Sequence, residues 1–146
     1  MKIQILSVSH KPPLWADRAF EDYAKRLPKN YQLSHHAFPP KTPALEAKAL
    51  LTQIPEKSYF ILLDVRGKSF SSLELSQQFE RWEQGGKDLV FVIGGPDGVT
   101  PEIQARAHET WSLSPLTFPH ALARVMLIEQ LYRAWTLKVR HPYHRE

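Results

Sequence analysis

Two stretches of the chain, Tyr59-Phe60-Ile61-Leu62-Leu63-Asp64 and Leu89-Val90-Phe91-Val92-Ile93-Gly94, are apolar at consecutive positions, not alternate ones. A strand apolar on both faces belongs in a parallel sheet covered by helices on each side. Between the two runs, Leu75, Phe79 and Trp82 mark the buried face of a helix. Ser71-Ser72-Leu73-Glu74 opens it with a capping box, and Gly85-Gly86 stops it. Upstream, residues 2–8 predict a strand, and Pro12-Pro13 breaks the chain before a helix. Ala16, Phe20, Tyr23 and Leu27 give that helix one apolar face, which Pro28-Lys29-Asn30 ends. Tyr31 to Phe38 predicts a second strand, and Pro39-Pro40 and Pro43 lead into a short helix ending near Ile54-Pro55. Thr100-Pro101-Glu102 is another helix start, with a Thr cap, Pro at the first helical position and an acid near the positive dipole end. A short strand near Thr110–Leu113 and a long helix from about His120 to Val139 complete the pattern. Strand and helix alternate throughout, so the expected fold is one α/β domain over 1–146 with a mainly parallel sheet.

The last helix departs from ordinary amphipathicity. Leu122, Val125, Met126, Leu127, Ile128, Leu131, Tyr132 and Trp135 occupy more than one face. A helix apolar nearly all round must be covered on several sides, and 146 residues provide little interior for that. A second copy of the chain is therefore expected against it, as a homodimer.

Composition narrows the classes. The chain is 42% hydrophobic, too apolar for wholesale disorder, and no apolar run approaches the length of a membrane span. The first eight residues are too short and interrupted for a secretory signal. Cysteine is absent, which removes disulfides, zinc–cysteine sites and cysteine nucleophiles and fits a cytoplasmic protein. Charge is uneven: residues 1–73 carry eleven Lys/Arg against six Asp/Glu, 74–119 carry three against seven, and 120–146 carry five against two. Basic ends around an acidic middle suggest an anionic partner, with nucleic acid one candidate.

In open parallel sheets, ligands bind beyond the carboxyl ends of the strands. Three segments end there: Leu63-Asp64-Val65-Arg66-Gly67-Lys68, Ile93-Gly94-Gly95-Pro96-Asp97-Gly98, and Trp111 through His120. The glycines of the second allow backbone to approach a ligand, although GGPDG taken alone is more often a tight turn than a ligand cradle and is neither a Walker A loop nor GxGxxG. Asp64 is either a ribose acceptor or a solvated turn aspartate or helix cap. The seven histidines, His141 and His144 among them, assemble no ligand constellation with carboxylates, so no metal site is expected. No Gly-x-Ser-x-Gly elbow is present either, which disfavours a serine hydrolase. The tail His141-Pro142-Tyr143-His144-Arg145-Glu146 concentrates imidazole, phenol and guanidinium groups directly after the long helix, suited to proton transfer, base stacking or phosphate contact.

Four ordered motifs carry a resemblance. Ile93–Gly98, Leu113-Ser114-Pro115-Leu116-Thr117-Phe118-Pro119-His120, Glu129-Gln130-Leu131-Tyr132-Arg133-Ala134 and His141–Glu146 closely resemble the RlmH family, the bacterial large-subunit ribosomal RNA pseudouridine N3-methyltransferases. The likeness runs from Met1 to Glu146 and includes the 63–68 turn; the chain is slightly shorter than typical members in the Pro39–Lys57 region. The resemblance implies the SPOUT fold, a mainly parallel sheet flanked by helices with a C-terminal trefoil knot. It also implies a homodimer, with S-adenosyl-L-methionine bound by Leu63, Gly94, Leu113, Ser114, Pro115, Leu116, Thr117 and Phe118.

The implied reaction moves the sulfonium methyl to N3 of a pseudouridine in the helix 69 loop of 23S rRNA, within assembled ribosomes and without a metal. His120, Tyr143, His144 and Arg145 are the catalytic candidates, with His144 or His120 as proton acceptor or base orienter and Tyr143 positioning the base. Arg124 and Arg133, with Arg145, are candidate phosphate or base contacts, although Arg124, Arg133 and Tyr132 serve equally well as structural residues across a dimer. Two rivals stay open: a ribosome- or RNA-binding module without catalysis, and a SPOUT methyltransferase for another RNA nucleotide.

Overall fold

The computed structural model describes residues 1–95 and 97–143. Five strands, β1 (Lys2–Val8), β2 (Gln32–Phe38), β3 (Tyr59–Ser69), β4 (Leu89–Ile93) and β5 (Glu109–Ser112), form one sheet in the order β2-β1-β4-β3-β5. Every pairing between them is parallel. The helices α1 (Leu14–Ala24), α2 (Pro43–Gln53), α3 (Ser72–Gly85) and α4 (Pro101–Arg106) supply the four crossovers, and α5 (His120–Val139) follows the last strand. The sheet flanked by helices is the expected one.

The consecutive apolar runs are explained by two cores, one on each face. Ile61, Leu63, Phe91 and Ile93 pack with Phe79 and Trp82 of α3 and Leu127, Ile128 and Leu131 of α5. The intervening Phe60, Leu62, Val90 and Val92 pack on the opposite face with Ala47 and Leu50 of α2 and Ile103 of α4. Fully burying one such side chain is worth about 1.5–3 kcal/mol, which is why neither face of β3 or β4 tolerates polar residues at its centre.

Local signals hold at most ends. The Ser71–Glu74 capping box is made, with Ser71 Oγ accepting from Glu74 N at 3.0 Å and Glu74 Oε1 accepting from Ser71 N at 3.0 Å. Gly86 ends α3 in the left-handed region at φ 70°. Two expectations need correction. α1 stops at Ala24, not Leu27, because the chain tightens over Lys25–Leu27; Leu27 still enters the core from outside the helix. β3 also does not end at Asp64. Its register against β5 breaks between Leu63 and Lys68, both of which face Trp111, and the strand resumes to Ser69. The 63–68 turn is thus an excursion inside one strand.

Gly67 makes that return possible. A Cβ built there would lie 2.6 Å from the carbonyl carbon of Trp111 and 2.7 Å from the carbonyl carbon and oxygen of Thr110. Those are backbone atoms, so only a residue without a side chain brings β3 this close to β5.

α5 is pinned to α3 by Ser76 Oγ donating to Ala134 O at 2.8 Å, and Lys138 Nζ reaches Glu83 Oε1 at 2.6 Å. Leu127, Ile128 and Leu131 are buried, whereas Leu122 and Met126 remain 41% and 38% exposed. Leu14 and Trp15 on α1 are exposed as well. Among the described residues no helix is long and apolar enough to cross a membrane.

Candidate active site

The Leu62–Val65 stretch of β3, the carboxyl end of β4, the loop after β5 and the first turn of α5 line a cavity of about 710 Å³. That lies within the roughly 300–1,000 Å³ usual for small-molecule sites. Leu63, Gly94, Leu113, Ser114, Leu116, Thr117 and Phe118 all line it; Pro115, from the same loop, does not. The loop after β5 is shaped by its own serines: Ser112 Oγ donates to Ser114 O at 2.9 Å, and Ser114 Oγ accepts from Leu116 N at 3.0 Å. Leu113 and Phe118 lean on the core, while Leu116 stands 68% exposed at the rim.

The glycine turn is both of the things its sequence allowed. Gly98 N donates to Gly95 O at 2.9 Å and Gly98 sits at φ 77°, closing a tight turn, while Gly94, Gly95 and Gly98 line the cavity. The space left by Gly94 is taken by the turn itself, since a Cβ there would meet Val99 Cγ1 at 2.7 Å. Asp64 also faces the cavity, but its Oδ1 accepts from Arg66 N and Nε and its Oδ2 from Arg66 Nη2 at 3.0 Å. Those hydrogen bonds from Arg66 hold its carboxyl below the usual carboxylate range. Val99 and Ala123 also line the cavity, and sequence reasoning missed them because their side chains carry no chemistry to single out.

His120 closes the floor. Its Nδ1 is buried without a hydrogen-bond partner among the described residues, and burial lowers the imidazole pKa. The ring is therefore neutral near pH 7 and lines the cavity, while its Nδ1 is shielded from solvent. Tyr143 is elsewhere. Its ring packs edge-on against Tyr132 with centroids 4.6 Å apart, and its hydroxyl donates to Glu129 Oε1 at 3.1 Å. Burial and the neighbouring Tyr23 and Glu129 push its phenol pKa well up. Arg133 stacks over the Tyr143 ring and donates twice to Glu129. His144 and Arg145 lie outside the described residues.

Arg124 is buried, at 3% exposure, and works inside the fold. Its Nη2 donates to Asp17 Oδ1 at 2.8 Å and its Nη1 meets His35 Nδ1 at 2.7 Å. A guanidinium only donates, so His35 accepts at Nδ1, carries its proton on Nε2, and donates to Ser7 Oγ at 2.8 Å. Ser7 is consequently not activated as a nucleophile. Desolvation, then the Arg124 charge, lowers the His35 pKa from 6.5 to about 4; Asp17 pulls the other way and His36 adds to the lowering. The unfolded chain takes up a proton below pH 6.5 that the folded ring refuses, so this contribution is complete above pH 6.5 and lost as pH falls toward 4. His35→Gln should flatten part of that slope, with His120 supplying another part. Urea unfolding of both proteins at pH 4.5 and pH 7 checks this, and parallel losses of stability would refute it.

These features define a class. Residues 1–144 match the family model described as a predicted SPOUT methyltransferase, and the chain belongs to that family. It is 47% identical over 147 residues to the ribosomal RNA large subunit methyltransferase H of Polynucleobacter asymbioticus, and 42% identical over 156 residues to the protein of the same name from Hahella chejuensis, in both cases across the whole of each chain. The solved structure of a probable methylase family protein from Haemophilus influenzae superposes with a TM-score of 0.60 at 14% identity, covering 99% of this chain and 70% of that one. That likeness shows the fold.

Proposed function

We propose that this chain methylates N3 of a pseudouridine in large-subunit ribosomal RNA, working as a homodimer with S-adenosyl-L-methionine in the 710 Å³ cavity. The observation that carries this is the cavity itself, built from the three strand-end segments of a SPOUT methyltransferase and floored by a neutral histidine. The names of the two full-length relatives support the RNA class.

The residues fit the cofactor. Leu63, Leu113 and Phe118 offer apolar walls, Leu116 a rim, and the 113–118 backbone the amides and carbonyls that read an adenine edge. S-adenosyl-L-methionine, when bound, supplies a methyl group already activated by its positive sulfur. The chain must then hold the acceptor nitrogen in line with that methyl and take up the imide proton from N3. His120, neutral and on the cavity lining, suits proton acceptance or orientation of the base. His144 is the alternative acceptor, with Tyr143 and Arg145 placing the base.

A second subunit answers two features of the single chain. Leu122 and Met126 of α5 and Leu14 and Trp15 of α1 are exposed apolar side chains that a partner copy would cover. Tyr143 packs at Glu129 and Tyr132, and nine residues of helix put Glu129 about 14 Å along the axis from His120. A neighbour's tail would bring both groups to one cavity.

The test is mass mapping of nucleosides after incubation with ribosomes and labelled S-adenosyl-L-methionine. One N3-methylated pseudouridine in 23S rRNA is expected, with assembled ribosomes modified at least about tenfold faster than free rRNA, because so small a protein reads RNA through shape and subunit context. Label on any other nucleotide would reject the substrate, and equal rates on free rRNA would reject the context requirement.

A further inference from the structure

A second cavity, of about 190 Å³, opens beyond the carboxyl end of β1, beside His35 of β2. It is lined by Ser7, Ser9, His10, Lys11, His35 and Arg124 with prolines 12 and 13, and by His120 and Ala121 from the start of α5. His120 lines the large cavity too, so the two spaces share one wall. At roughly 30 Å³ per water, the smaller one holds about six waters' worth of volume.

Its chemistry is one-sided. Among the described residues no carboxylate lines it, while Lys11, the hydroxyl of Ser9 and the imidazole of His10 are donor groups of the lining. Arg124 is balanced by Asp17, so its charge is spent inside the fold and Lys11 carries the net positive charge of the lining. The first turn of α5 adds to the same sign. It begins behind Pro119 with no side-chain cap and no acid, so the positive end of a 20-residue helix is left uncompensated there. His35, held neutral and turned away to Ser7 by Arg124, keeps the floor rigid without competing as an acceptor.

We propose that this second cavity binds a backbone phosphate of the RNA substrate, with Lys11 and Ser9 as its principal donors, so that the adjoining base crosses the His120 wall into the methyl-transfer cavity. The proposal rests on the RNA methyltransferase reading and gives it an anchor point. Phosphate contacts fix register and orientation while the base is handled elsewhere, and two adjoining cavities with one shared histidine provide that division.

Steady-state methylation of ribosomes by the full chain tests it. Lys11→Glu should raise KM for ribosomes about tenfold, with a much smaller effect on kcat, and Lys11→Arg should restore most of the loss. Lys29→Glu makes the same charge change at the opposite end of the sheet, before β2, and should shift KM less than about twofold if the site and not diffuse attraction matters. An unaltered KM in Lys11→Glu, or an equal rise in Lys29→Glu, overturns the phosphate site while methylation itself still stands. Should the chain methylate no RNA, the enzyme reading falls alone. Inorganic phosphate then judges the cavity through the imidazole NMR signals of His10 and His120: shifts lost in Lys11→Glu sustain it, and no shifts in either protein overturn it.

Discussion

Mixing His120→Ala and His144→Ala subunits should recover activity that neither variant has alone. Each change removes a candidate proton acceptor or base orienter, so each pure variant should lose on the order of 10²–10⁴ in turnover. The two positions belong to different chains of one site if the tail crosses to the neighbour. Tyr143, immediately before His144, packs at Glu129 in its own chain, well along α5 from His120. In an equimolar mixture at random exchange, half the dimers carry both variants, and one cavity in each has a native His120 facing a native tail; about a quarter of wild-type activity should return. Co-refolding followed by the ribosome assay measures this directly. Activity no greater than the average of the two variants would mean that each chain completes its own site, and the dimeric arrangement would be rejected.

Gly67→Ala should be the most damaging single methyl group added to this chain. The new carbon would meet backbone atoms of Trp111 and Thr110 at 2.6 and 2.7 Å, closer than real contacts allow, and backbone cannot rotate aside as a side chain can. Overpacking usually costs about 1–3 kcal/mol, and a clash with a neighbouring strand belongs at or above the top of that range. β5 leads straight into the 113–118 loop, so cofactor affinity should fall with stability. Urea unfolding and calorimetric titration with S-adenosyl-L-methionine read the two losses. A variant with wild-type stability would show that the β3–β5 approach is not as tight as described.

Gly67 also marks the limit of what pattern reading delivers. The parallel sheet was legible because Tyr59–Leu63 and Leu89–Ile93 are apolar at every position, and the structure places helices on both faces of those strands. The caps at Ser71 and Thr100 were legible because they depend on residues three positions apart, within reach of local sequence. The resumption of β3 after its excursion was not, since the polar run Asp64–Lys68 reads as a turn and the reason to continue lies in β5, more than forty residues away.

For the site the division is similar. Sequence by itself determined which segments lie at the sheet's rim, because strand ends and glycine turns are local, and seven of the eight cofactor positions named from resemblance do line the large cavity. Only the tertiary structure decided that Arg124 is buried against Asp17 and His35, partners 107 and 89 residues distant. It also decided that His120 stands between two cavities, and that Lys11 lies across from the start of α5. Those facts come from chain segments meeting after folding, and the charge or burial of a side chain is set by what it meets, which no spacing along the chain records.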